Sequence, residues 1–253
     1  MIMKITSSTP LLFKYLALPF GIGGRGGVQR FFLLSQNIPF EEELFTLGPT
    51  GTWSVEKERV VTSGDNPSGG APIIYAKVNE NEKAIPLPQH VATCRYIAAV
   101  HGCTSGDPYQ DYVQDMVADE YQNFRNSWAK VAFSGTEEQK STYKKEELPK
   151  QLIKFSSLYK QFKTHDVFLS VSTKSPNNPL WGDAAIFGLL RDHVLTGLLT
   201  LDSIETSYPE LHNMYQEYLK IPAINEWCAT TMKEKENTKE NKKVEQQEEK
   251  KSE

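Results

Sequence analysis

Residues 16–34 read "LALPFGIGGRGGVQRFFLL": an apolar run, five glycines within seven positions, then an amphipathic run. Such a pattern reads as a buried strand that passes through a tight, glycine-bound junction into a helix. Gly21, Gly23 and Gly26 also fit the phosphate fingerprint G-x-G-x-x-G. A dinucleotide fold needs an acid about 20 residues on and further strand–helix–strand units. Glu41, Glu42 and Glu43 supply the acid. No further unit follows, so the fingerprint stands alone and carries little weight.

The rest of the first half gives the reason. Residues 12–20 read as the strand and 26–37 as the helix, with Val28, Phe31, Phe32 and Leu33 on its apolar side. "IPFEEELF" reads as a second strand. Residues 46–69, rich in Gly, Thr, Ser and Pro, read as a long loop with one short helix near Trp53. "APIIYAKV" and "KAIPL" flank the turn signal "NENE" as a hairpin, and "QHVATCRYIAAVHG" reads as a helix closed by Gly102. Beyond a hinge at 103–110 the periodicity is helical. Tyr112, Val113, Met116, Val117, Tyr121, Phe124 and Trp128 fall at helical spacing, as do Leu152, Phe155, Leu158, Tyr159 and Phe162. "DAAIFGLLRDHVL" is apolar on nearly all sides and reads as a central buried helix. "YPELHNMYQEYL" and "PAINEWCATTM" read as two more. The expected organisation is a first domain over 10–102, an all-helical domain over 107–232, and a tail.

The tail, 233–253, holds seven Lys and seven Glu with one Val and no aromatic residue. Its charges cancel and it has too little apolar surface to offset chain entropy, so it reads as disordered or frayed helix. A net charge of −4 over 253 residues argues against a nucleic-acid or membrane partner. Lys4, Lys14 and two prolines break up the apolar start, which reads as neither signal peptide nor membrane span. Cys94, Cys103 and Cys228 have no metal or redox spacing, and an odd, sparse set suits a reducing, cytoplasmic setting without a metal site.

The order of elements resembles the cytosolic glutathione S-transferase family, closest to its pi and sigma-like branch. Six pieces carry the resemblance: "LPFGIGGRGGVQRFFLL", "GGAPIIY", "LPQHVATCRYI", "DPYQDYVQDMVADEYQNFR", "WGDAAIFGLL" with Asp183 near its start, and "YPELHNMYQEYLKIPAINEW". They cover about residues 12–232. The resemblance implies a thioredoxin-like α/β domain followed by an all-helical domain, glutathione as co-substrate, a hydrophobic electrophile and a homodimer. It implies a cis bond before Pro72, whose neighbour Ala71 would offer its backbone to the cysteinyl part of glutathione. Gln89 and His90 would hold the γ-glutamyl carboxylate at a helix start, with His90 standing where the family has a serine. Trp53 and Arg59 would hold the glycyl carboxylate, and Asp119 would reach the partner subunit's ligand. Arg25 would lie near the thiol and is the candidate catalytic residue.

One position departs from the family. A gapless alignment puts Pro19 where the family has the tyrosine whose hydroxyl favours the thiolate. Serine or cysteine used by other branches would fall at Gly23 and Gly24. Tyr15, four residues up the strand from Pro19, would be about 13 Å away and out of reach. Two sources of thiolate stabilisation then remain: the glycine loop's own N–H groups, acting as an anion nest, and Arg25. A loop that merely closes a turn is the alternative. Two functions follow, a transferase of weak or atypical activity and a non-catalytic glutathione- or ligand-binding or assembly module. The charged tail is similar to the linker after the transferase-like domain of a translation elongation factor subunit, which favours the second. The hydrophobic site would draw on the loop after the first strand, the helix around residues 112–125 and the C-terminal helix.

Overall fold

A computed structural model describes residues 10–77 and 83–231. The "NENE" turn and the charged tail lie outside the described residues. Strand β1 (Leu11–Leu16) alternates as its sequence demands: Leu11, Phe13 and Tyr15 are buried, while Lys14 turns the other way and pairs with Glu56 at 3.1 Å. The strand is shorter than its apolar run, because Pro19–Gly21 form one turn of 3-10 helix. Helix α1 (Gly24–Ser35) starts two residues earlier than the periodicity suggests and stops where Asn37 takes φ 52°. There follow β2 (Phe40–Phe45), α2 (Trp53–Thr62), β3 (Ile73–Ala76), β4 (Ile85–Pro88) and α3 (His90–His101). Gly102, at φ 66°, closes α3.

The sheet order is β2-β1-β3-β4, with β1 and β2 parallel and the other pairs antiparallel. This is the expected thioredoxin-like sheet, and α1 is its parallel crossover. All that follows is helical: α4 (Pro108–Ser134), α5 (Glu137–Thr142), a π turn at Tyr143–Glu147, α6 (Leu148–Phe162), α7 (Trp181–Leu195), α8 (Leu201–Ser207), α9 (Pro209–Leu219) and α10 over 222–231. Helix α4 begins where Asp107 accepts the Tyr109 N–H and Pro108 takes the first position.

Helix α7 is the central helix its composition announces, buried from Trp181 to His193. Leu180 offers its start no side-chain cap. Gln114 of α4 does so instead, its Oε1 accepting the N–H groups of Gly182 at 2.6 Å and Asp183 at 3.3 Å. The buried Asp183 in turn accepts from Tyr159, Leu169 and Gln114. Helices α1 and α7 meet through Phe31, edge-on to Phe187 at 5.0 Å and to Trp227 at 5.3 Å. The same helix pair positions the site.

Candidate functional site

A polar cleft of about 500 Å³ opens beside the sheet. Three separate stretches converge there: Arg25 of α1, the loop from Asn66 to Pro72, and Gln89 and His90 at the start of α3, with Gln122 of α4 on the far wall. The loop is held by its own polar groups. Asn66 donates to the Gly70 carbonyl at 2.6 Å, and Ser68 donates to Asn66 Oδ1 at 2.7 Å. The Ala71–Pro72 bond is cis, as the resemblance implied. Gln89 caps α3 from φ 73°, a left-handed conformation that few non-glycine residues adopt. The first N–H groups of α3 therefore start at the cleft wall without partners in their own helix.

His90 is buried and its ring is edge-on to Tyr121. The Gln122 amide nitrogen lies 2.9 Å from His90 Nε2. An amide nitrogen only donates, so Nε2 accepts and Nδ1 carries the proton. Burial first, then Arg25 and Arg125, push the His90 pKa down to about 3. The His90 ring is thus neutral, with Nδ1 as its donor.

Sequence reasoning overlooked Arg125. Its Nη1 and the Nη2 of Arg25 both donate to Asn126 Oδ1, at 3.3 and 3.4 Å. Among the described residues neither guanidinium has an ion-pair partner, and the buried Arg125 Nε has no acceptor. Arg25 thus brings a positive charge to the cleft lining, and Arg125 stands behind it through the shared Asn126. The available signal was their company on α4: Asp119, Gln122 and Arg125 recur every three residues, on one helix face.

Other expected residues lie elsewhere. Arg59 is outside the cleft lining, held by Glu56 at 2.8 Å, Asp65 at 3.2 Å and the Tyr75 hydroxyl at 2.8 Å. Trp53 packs edge-on against Phe45 and is also outside the lining. Asp119 is exposed in an open groove between α3 and α4, which adjoins the cleft at Gln89, His90 and Gln122. The loop after β1 and helix α10 meet in an apolar cavity of about 600 Å³, lined by Leu18, Ile22, Leu34 and Trp227 among others. The α4 face around 112–125 takes no part in that cavity.

The glycine loop differs from both expectations. Its N–H groups do converge on an anion, but the anion is internal. Gly23 and Gly24 each donate to one carboxylate oxygen of Asp192, at 2.8 Å. They are therefore not open to a phosphate or a thiolate. Pro19 is exposed on its turn and does not line the cleft. Tyr15 is much closer to the helix start than a straight strand suggests, because the chain doubles back through the 3-10 turn. A Cβ built on Gly24 would stand 2.5 Å from the Tyr15 hydroxyl. The antiparallel register pairs Lys14 with Ile73, and continuing it by one residue sets Tyr15 beside Pro72. Burial pushes the Tyr15 pKa up, opposed first by the Gly26 N–H directed at its oxygen.

No protein-family model matches the sequence. A curated glutathione S-transferase of Anopheles gambiae is 25% identical over 219 residues, spanning 85% of this chain and 95% of that protein. Among solved structures, the pi-class glutathione S-transferase of Onchocerca volvulus matches with a TM-score of 0.68 at 18% identity, over 88% of this chain and 93% of that one. The sigma-class enzyme of Fasciola hepatica gives 0.67 at 15%, over 88% and 96%. A Necator americanus glutathione S-transferase described as monomeric gives 0.64 at 17%, over 88% and 97%. Sheet order and helical remainder give this chain the fold of the cytosolic glutathione S-transferases, and its sequence is similar to a curated member of that family.

Proposed function

We propose that the chain binds glutathione along the polar cleft and transfers its sulfur to an apolar electrophile. The observation that carries this is the convergence of the Ala71 backbone, the α3 start and the Arg25 guanidinium in one cavity. The γ-glutamyl carboxylate suits the α3 start at Gln89 and His90, where free N–H groups and the helix dipole favour negative charge. The Ala71 backbone suits the cysteinyl peptide, paired as an added strand. Arg25 and Arg125 supply a field that favours thiolate over thiol. The ion pairs of Arg59 leave the glycyl carboxylate without that partner. Tyr15, rather than Pro19, is the sulfur-directed hydroxyl. It acts from beneath the glycine loop, which makes the activity atypical. The apolar cavity between the β1–α1 loop and α10 suits a hydrophobic substrate. Three buried, unpaired cysteines favour a reducing, cytoplasmic setting.

Calorimetric titration with glutathione tests the binding mode. Gln89→Ala is expected to weaken binding by roughly 1.5–3 kcal/mol, about 10- to 150-fold, the cost of one hydrogen bond to a charged group. Unchanged affinity would remove Gln89 from the site.

A second reading, a non-catalytic binding module, is favoured by one observation: the cleft lining contains no tyrosine and no cysteine. Binding without measurable turnover would establish it. The open α3–α4 groove beside the cleft, with Asp119 on its rim, favours a two-fold dimer in which each subunit borders the other's ligand. Light scattering is expected to give about twice the 28.6 kDa chain mass. A monomer at micromolar concentration would refute the dimer.

A further inference from the structure

The loop that opens α1 is shaped for an anion and already holds one. Asp192 is buried in α7, in the helical half of the chain, and its two oxygens accept the Gly23 and Gly24 N–H groups. These groups come from the helix cap and the first helical residue, which have no partner within α1. The preceding residue grips the same loop. Arg191 donates to the Gly21 carbonyl at 2.6 Å and to Thr231 Oγ1 at 2.7 Å. Two consecutive side chains of α7 thus fix the loop at residues 21, 23 and 24. The next residue, Arg25, projects into the cleft. The Tyr15 hydroxyl lies directly beneath Gly24.

We propose that Asp192 is a positioning residue for the cleft: its carboxylate takes the anion position of the glycine loop and so sets where Arg25 stands and what covers Tyr15. The anchor follows from the loop geometry, and its effect on ligand affinity rests on the glutathione reading above. The ionised carboxylate accepts both N–H groups in charge-assisted bonds. Once protonated, one oxygen becomes a hydroxyl, a neutral and weaker acceptor for the second glycine N–H. The charged and titratable groups around it are Tyr15 from β1, Tyr121 and Arg125 from α4, Tyr215 from α9, and Arg191 with neutral His193 on its own helix. Burial raises its pKa to about 6 against the pull of the two glycine N–H groups and the two arginines. The clamp therefore loosens on acidification through about pH 6.

Stability runs in the opposite direction. A carboxyl whose folded pKa lies above its unfolded value adds stability below about pH 3.9, and that contribution is lost as pH rises through the folded value. Asp192→Asn removes this dependence. The variant's stability relative to the parent is therefore expected to rise between pH 4.5 and 7.5, while its cleft is impaired. Asparagine has one accepting oxygen, and its NH₂ opposes the second glycine N–H.

The test is calorimetry of the full chain with S-methylglutathione, which has no thiol to titrate and changes charge little between pH 5 and 7. Parent affinity is expected to fall about 10-fold from pH 7.5 to 5. Asp192→Asn is expected to bind about 10-fold more weakly at pH 7.5 and with no pH dependence, at a melting temperature showing it folded. A folded variant that binds like the parent at pH 7.5 would overturn the positioning role. Amide resonances of Gly23 and Gly24 in nitrogen-15 spectra of the parent read the anchor without any ligand. They are expected to titrate near pH 6, and silent resonances would overturn the anchor. If they titrate while the parent binds no S-methylglutathione at any pH, the anchor stands and the glutathione reading falls.

Discussion

Tyr15→Phe is expected to lower the rate of glutathione transfer to a chlorinated aromatic about 100-fold, the usual scale for one preorganised donor at a developing charge. Tyr15 is the last but one residue of β1, with its hydroxyl at the start of α1. The Gly26 N–H is directed at the phenolic oxygen, so the hydroxyl's own proton is left to donate to a sulfur. Phenylalanine keeps the ring and its stacking on Phe13, whose centroid lies 5.9 Å away. It leaves the Gly26 N–H without a partner, a cost of about 1–3 kcal/mol that a folded domain tolerates. The ultraviolet absorbance of bound thiolate against pH is the second readout. The parent is expected to show an inflection below the free-thiol value of about 8.5, and the variant one closer to it. Pro19→Tyr is expected to change neither, because residue 19 is exposed on a turn outside the cleft. Equal rates for parent and Tyr15→Phe, or a gain in Pro19→Tyr, would return the catalytic position to residue 19 or to Arg25.

That exchange of Pro19 for Tyr15 marks where the sequence stops being informative. A gapless alignment assumes a loop of fixed length, yet surface loops change length at little free-energy cost. The strand and the helix were legible because each has a clear apolar period, whereas the glycine path between them has none. The same limit applies to Asp192. Within "DAAIFGLLRDHVL" it is one polar residue in a buried helix, and its partner Gly23 is 169 residues away. Nothing local reveals that the anion of the glycine loop is supplied from within the chain. The fate of Arg59 was legible, by contrast. Glu56 stands three residues before it on α2, the spacing at which an acid captures an arginine along one helix face.

Gly26→Ala is expected to be the most damaging single methyl in this loop. Its Cβ would lie 2.3 Å from Cδ1, 2.5 Å from Cε1 and 2.6 Å from Cγ of the Tyr15 ring. The ring is 2% exposed and stacked on Phe13, so it cannot swing aside without disturbing the face between sheet and α1. Overpacking of this kind costs about 1–3 kcal/mol or more, well above the roughly 0.5–1 kcal/mol that alanine returns over glycine in a helix. Gly27→Ala is the matched control. Its nearest side-chain neighbour is Phe31 Cε2, at 3.3 Å, the far edge of a ring that a few tenths of an ångström would relieve. Thermal unfolding is expected to separate the two variants by several degrees, with Gly27→Ala near the parent. The transfer rate is expected to fall further in Gly26→Ala than its loss of folded protein explains, because displacing the ring also displaces the Tyr15 hydroxyl. If Gly26→Ala instead keeps the full rate per folded molecule, the hydroxyl does not act from beneath Gly24, and Arg25 and Arg125 carry the thiolate alone.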